Sequence, residues 1–491
     1  MRQEDRWTRG ELVRQSARLG AGLLLAGGAG RLLEGDPAFA LGTPVPQGAV
    51  RHFHSRPDLR PPALTVLRAD HTSDGYLFLS PNSGPGQRGL LVLDRNGDVV
   101  YFHPTTPRTA MNFRTARYRG KPVLTWWEGK AESGLGQGTH VIMNQSYREI
   151  ARVPAGGGRQ SDLHEFVITP RSTALVTSYE VRPANLSAVG GPVDGKVIGG
   201  VVQELALPSG RVLFEWRSLD HVPVEETHAA YRGHPLDYFH VNSIDVASDG
   251  NLIVSARNTW GVYKISRRSG NVIWRLGGKR SDFEMGRGTV FAWQHDARHH
   301  GANLVSIFDD GAAPQVEPQS RVLVIRLDAE NRRATLVRKY THEPNRLVSQ
   351  FMGNAQMLPN GHMVVGWGNE PYVTEFGHDG AVLFDAKLPR GGQNYRAFRF
   401  DWSGKPTTEP AFVFPGGRQG RRAFASWNGA TEAAAWRLLA GTVRGALHPV
   451  LSKRRSGFET SLEVPPRLRY AAAVALDHHG HELGRSKTIR L

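Results

Sequence analysis

The sequence predicts an all-β fold: a six-bladed β-propeller followed by a small C-terminal β-sandwich of immunoglobulin or fibronectin type III kind. Three observations carry that prediction. The chain of 491 residues holds 56 Gly and 30 Pro, and its apolar runs are short and bounded by turn residues. An alternating strand, a glycine turn and a second strand recur along it. The recurrence stops near residue 403, and shorter strand-like segments follow to the C-terminus.

In chain order, residues 1–40 read as a signal peptide. Arg2, Arg6, Arg9, Arg14 and Arg18 precede the weakly apolar LGAGLLLAGGAG, and Ala38-Phe39-Ala40 suits signal peptidase. The long basic region and Gly/Ala-rich core resemble a twin-arginine signal, with Arg9-Gly10 where an arginine pair would fall. No cysteine follows to carry a lipid, and no later segment reaches the roughly 20 apolar residues needed to span a bilayer. The mature chain is therefore expected to be exported and secreted.

Residues 41–403 are expected to form the propeller, with Pro-rich 41–74 as a lead-in able to complete a blade. Four outer hairpins stand out: LLVLDRNGDVVYF, VQELALPSGRVLFEW, GVYKISRRSGNVIWRL and YVTEFGHDGAVLFDA. Their turn glycines are Gly97, Gly210, Gly270 and Gly380, in Asn-Gly, Ser-Gly and Asp-Gly pairs that tolerate positive φ. Weaker copies at 139–153 and 321–340 bring the set to six. An inner hairpin precedes each, most clearly FHVNSIDVASDGNLIVSARN at 239–258. Residues 404–491, with FASWNGATEAAAWRLLAG, GFETSLEV and RYAAAVALDHHGHELG, are expected to form the sandwich.

Composition excludes several functions. With no cysteine there are no disulfides, no thiolate catalysis and no Cys-ligated zinc. A net charge of +16 favours anionic ligands and admits an anionic cell-surface polymer as a partner. No nucleic-acid partner is expected, because zinc-finger, helix-turn-helix and RNP-like patterns are missing and the arginines are scattered. There is no GxSxG elbow and no phosphate-binding glycine loop.

The histidines are the chemical signal. His164 lies in DLHEF, His240 in DYFHVN and His295 in WQH, each in the expected first strand of successive blades three to five. First strands line a propeller's channel, so residues distant in sequence converge on one axis. Asn242 shares a strand face with His240, and Arg257 ends the second strand of the fourth blade. His299 and His300 are expected to be solvated bystanders; His221, His228 and His234 fall in a long connection, and His478, His479 and His481 in a C-terminal surface turn.

Such a cluster suits three chemistries. Three histidines can hold zinc with an open fourth position, although these share no local spacing and Arg257 would repel a metal. Histidine and arginine donors can bind sulfate, phosphate or carboxylate without turnover. An imidazole, neutral near pH 7, can also carry a sulfuryl or phosphoryl group covalently, with cationic side chains on the equatorial oxygens and an acid for the leaving group.

DLHEF, DYFHVNSIDVASDGNLIVSARNTWGVYKI, FAWQHDA and WNGAT, in that order, resemble the arylsulfotransferase family, and more specifically its exported actinobacterial-type branch. The likeness spans roughly residues 50–490. It implies an exported six-bladed propeller that moves a sulfuryl group from a phenolic sulfate ester to a phenolic acceptor, with no nucleotide donor and no cofactor, in a ping-pong scheme. By this resemblance His295 is the nucleophile, His240 and Arg257 hold the sulfate with help from Asn242, and His164 binds sulfate or moves the proton. The better known members carry an N-terminal sandwich, where this chain carries a C-terminal one. The alternative is a non-enzymatic secreted propeller that binds anionic glycans or sulfated ligands.

Overall fold

The computed structural model describes residues 48–301, 303–416 and 420–491. The expected signal peptide and the start of the lead-in lie outside them. The described chain is all-β, with three single-turn 3-10 segments. Among the described residues six sheets follow one another, each built on four antiparallel strands in radial order, with a fifth strand added to the third, fifth and sixth. The first holds Phe398–Phe400, Tyr76–Leu79, Gly89–Leu93 and Val99–Pro104, and the sixth Asn354–Met357, Met363–Gly366, Tyr372–Phe376 and Val382–Lys387. The second uses Thr109–Tyr118, Lys121–Glu132, Leu135–Met143 and Glu149–Val153; the third uses Phe166–Ile168, Thr173–Ala184, Gly195–Ala206 and Val212–Arg217. The fourth runs Val241–Val246, Leu252–Ala256, Gly261–Ile265 and Val272–Gly277, and the fifth starts with His295–His300 and Leu304–Asp309.

Each sheet buries both faces against its neighbours, which is why a strand such as Leu252–Ala256 is buried along its whole length. Val92 and Leu90 of the first sheet pack with Leu124 and Val141 of the second. Val202 and Trp216 of the third pack with Ile244 and Val254 of the fourth, and Leu276 of the fourth with Ile307 of the fifth. Val365 of the sixth packs against Val324 of the fifth, while its Phe384 meets Leu91 of the first. The apolar layers thus close a propeller-like ring. The four turn glycines named above all have φ between 71° and 90°, the left-handed region that Gly enters freely.

The first sheet departs from expectation. Its innermost strand is Phe398–Phe400, paired with Tyr76–Leu79, so the far end of the repeat completes the sheet that the N-terminal end begins. The lead-in strand Thr65–Ala69 instead adds to the outer edge of the sixth sheet, beside Val382–Lys387. Beyond the ring, Ala411–Val413, Arg422–Ser426 and Glu459–Glu463 form one sheet, and Ala446–Arg454, Ala435–Val443, Tyr470–Leu476 and Glu482–Arg485 form another. Trp436, Leu438 and the alanines of Tyr470–Leu476 pack between them with Ala423, Ala425 and Leu462. Asn428 caps the edge strand Val99–Pro104 through both backbone groups of Phe102, docking these sheets on the ring.

Candidate active site

His164, His240 and His295 meet at the end of the ring where inner strands begin. All three are at most 7 % exposed, and one ring nitrogen of each lies within 4.8 Å of the others. None sits on a regular strand face. His164 lies in the bend ahead of Phe166–Ile168, and His240 immediately precedes Val241–Val246 with φ of 55°. His295 opens its strand between Trp293 at φ 57° and Asp296 at φ 54°, where the register with Leu304–Asp309 slips. The trio is built from backbone irregularities, which aim side chains that strand alternation would direct elsewhere.

Each imidazole is oriented by its own carboxylate. His164 Nδ1 lies 2.6 Å from Asp162 Oδ2, His240 Nδ1 2.5 Å from Asp237 Oδ2, and His295 Nδ1 2.8 Å from Asp310 Oδ2. With Nδ1 committed, the nitrogen left for chemistry is Nε2 in every case. The hairpin joining Lys121–Glu132 to Leu135–Met143 forms a roof. The Gly136 amide donates to Asp162 Oδ1 at 2.7 Å, and a Cβ at Gly134 would come within 3.1 Å of His240 Cε1.

Arg257 lies one residue past Leu252–Ala256, and its backbone amide donates to the His240 carbonyl at 3.0 Å. Its guanidinium lies 4.9 Å over Trp293 and donates to the Gln350 carbonyl at 3.0 Å, while its buried Nε has no partner among the described residues. Burial, then Arg257, the other two histidines and Arg396, hold the His295 imidazole well below its usual pKa. Burial also lowers His164, opposed by Asp162. Burial raises Asp310 well above the usual carboxylate range, and Arg257 opposes that rise.

Asn242 Nδ2 donates one of its two hydrogens to the Gln294 carbonyl at 2.7 Å and so fixes the peptide ahead of His295. His299 and His300 run on down the strand. The His299 backbone amide donates to Asp245, and His300 Nε2 lies 2.8 Å from Ser306 Oγ. His221 stacks on Trp216 and His228 on Trp260, while His234, His478, His479 and His481 are exposed.

Sequence reasoning missed the floor of the site. Glu165 takes Arg298 at 2.5 Å, Arg396 at 3.2 Å and Arg114 at 3.3 Å, and Asp296 takes Arg298 at 2.5 Å and Arg396 at 3.3 Å. Arg396, fully buried, also donates to the Asn242 carbonyl at 2.8 Å. These residues come from the second, third and fifth sheets and the segment before Phe398–Phe400. Together they form a buried plug of ion pairs. Nothing in the local sequence joins residues 231 positions apart.

The arylsulfotransferase (ASST) family model matches residues 114–388, more than half of the chain, and covers every residue of the trio, their three aspartates and Arg257. The chain belongs to the arylsulfotransferase family. Its substrates are accordingly small-molecule sulfate donors and acceptors. No curated protein matches. Among solved structures, a Bacteroides caccae protein of unknown function is 13 % identical over 66 % of this chain and 98 % of its own, with a TM-score of 0.43. Virginiamycin B lyase from Staphylococcus aureus is 9 % identical over 74 % of this chain and 94 % of its own, at 0.35. At such scores the likeness carries nothing over. Among the described residues no helix is long and apolar enough to cross a membrane.

Proposed function

We propose that this arylsulfotransferase-family protein moves a sulfuryl group from a phenolic sulfate ester to a phenolic acceptor through a sulfohistidine at His295. In this reading the six sheets are the blades of a six-bladed propeller with an immunoglobulin-like C-terminal sandwich, and residues 1–40 direct its export. The observation that carries the reading is the convergence of three carboxylate-oriented imidazoles beside Arg257 in a member of this family.

The chemistry follows from the environments. A nucleophilic imidazole must be neutral, with its proton on Nδ1 and its lone pair on Nε2. Burial and the surrounding cations favour the neutral ring at His295. Asp310 accepts the Nδ1 proton in its ionised form, which burial, the larger effect, opposes and the Arg257 charge favours. In the first half-reaction His295 Nε2 attacks sulfur, the N–S bond forms and the S–O bond to the phenol breaks. His164 or His240 gives a proton from its Nε2 to the leaving oxygen. In the second, the acceptor phenol returns a proton to that imidazole while its oxygen attacks sulfur and the N–S bond breaks. Arg257 and the remaining imidazole hold the sulfuryl oxygens. Only a sulfuryl group and a proton change hands, so no cofactor is required.

The test is an aryl sulfate that releases a coloured phenol, given with a second phenol as acceptor. Acceptor-dependent release is expected, falling at least about 10³-fold in His295→Ala, whose fold is checked by thermal unfolding. Brief mixing with donor alone should leave one acid-labile sulfuryl group on the protein, absent from the variant. Binding of aryl sulfates with no turnover in the folded wild type would overturn the reading in favour of an anion-binding propeller.

A further inference from the structure

We infer that the same trio is a binding site for one divalent metal ion of the zinc or cobalt kind, held by Nε2 of His164, His240 and His295. The argument begins with the ligands. They are three neutral nitrogen donors with no thiolate and no free carboxylate among them. That donor set suits zinc, cobalt, nickel or copper and is poor for magnesium or calcium, which take oxygen ligands. The Nδ1 of each ring is held by Asp162, Asp237 or Asp310 at 2.5–2.8 Å. A carboxylate behind each imidazole fixes the tautomer that presents Nε2 and raises its donor strength, as in metal sites generally.

The spacing is close to what an ion needs. The nitrogens lie within 4.8 Å of one another, and tetrahedral bonds of about 2.0–2.1 Å place them about 3.4 Å apart. The trio therefore closes by less than about 1 Å per ring, within the reach of side-chain rotation. Three ligands leave a fourth position open. Among the described residues this is the one group of histidines and carboxylates with such convergence.

The repulsion expected from Arg257 is offset by charge already in place. Three aspartates back the rings, and one guanidinium, Arg257, stands beside them. Arg396 pairs instead with Glu165 and Asp296. The bound ion occupies the Nε2 lone pair that sulfuryl transfer needs, so it inhibits the transfer in competition with the donor. The inhibition rests on the proposed function; the binding does not.

The experiment is a titration of metal-free full-length protein with Co²⁺, followed by visible absorption and by calorimetry, then displacement by Zn²⁺. One equivalent is expected, with the intense visible band of four-coordinate cobalt. Asp237→Asn, which keeps shape and volume, should weaken binding about 10–100-fold, and His240→Ala by more. His479→Ala is the control for adventitious binding at the exposed His478, His479 and His481 turn, and should change nothing. Absence of the band and of heat in the folded protein overturns the proposal, as does a band that survives Asp237→Asn and His240→Ala unchanged. A protein that turns over aryl sulfate yet takes no cobalt loses the metal site alone. One that takes cobalt at the trio yet turns over nothing loses the transfer reading alone.

Discussion

His140 and His164 are both sealed from solvent in neighbouring sheets, yet their polar surroundings differ at every atom. His140, on Leu135–Met143, lies flat against Phe166 at 4.4 Å, and neither ring nitrogen has a hydrogen-bond partner among the described residues. His164 gives its Nδ1 to Asp162, and its ring stands 5.0 Å from that of His240 and 6.3 Å from that of His295. Burial alone turns a histidine into a neutral aromatic filler. Burial with a carboxylate behind it fixes the tautomer, orients the ring and leaves one nitrogen ready for a substrate or ion. The partner, rather than the burial, separates a site from a core.

The sharpest way to break this comparison is to remove a partner and leave the ring. Asp310→Asn keeps the volume behind His295 but offers an amide, which can donate to Nδ1 and push the proton onto Nε2. The nucleophile is then in the wrong tautomer. Transfer should fall about 10³–10⁴-fold with donor binding largely kept, the size of effect seen when a buried orienting aspartate is neutralised. His140→Leu should leave the rate unchanged. Equal losses in the two variants, measured as kcat on folded protein, would erase the distinction.

The second prediction concerns acid stability. Burial pushes His140 down to about 3. The unfolded chain takes up its proton near pH 6.5, so between pH 6.5 and 3 the unfolded state binds more protons than the folded one. Stability from this group is therefore fully present above pH 6.5 and is lost as pH falls through that window, by a few kcal/mol on the order of magnitude of the shift. Denaturant unfolding of His140→Leu at pH 7 and pH 4.5 should show a smaller acid loss than the wild type. An unchanged acid loss would mean that His140 is solvated in the folded protein.

How much of this was legible follows the same line. The strands were, because period-two apolar patterns and left-handed glycine turns are local. The convergence of His164, His240 and His295 was legible from their matching places in three successive repeats. The aspartates were written in plain view, as Asp162 in DLH, Asp237 in DYFH and the Asp309-Asp310 pair, but each reads as an ordinary turn or strand-end residue until the fold brings it behind a ring. The Glu165, Arg298 and Arg396 plug left no local trace, since its members face one another only once the ring closes. The same holds for Phe398–Phe400, whose partner strand lies near the other end of the repeat.

Asn242 tests the smallest part of the comparison, a residue near the trio that orients without touching the reacting group. Its Nδ2 holds the Gln294 carbonyl, and Gln294 Nε2 in turn donates to Ser255 Oγ at 3.1 Å and to the carbonyls of Ala256 and Gly261 at 3.0 and 3.1 Å. This lattice fixes the peptide that enters His295. Asn242→Ser removes the amide donor but leaves a small polar side chain, so the peptide gains freedom and the in-line attack angle loosens. A fall of about 10-fold in kcat with KM nearly unchanged is expected, because the hydrogen bond that is lost holds a peptide in place. Arg257→Lys is the contrast, since it trades a planar fork for a point charge and should raise KM for the donor. If Asn242→Ser instead raises KM as Arg257→Lys does, the amide turns toward the sulfate when donor binds. Asn242 would then belong with Arg257 as a binding group.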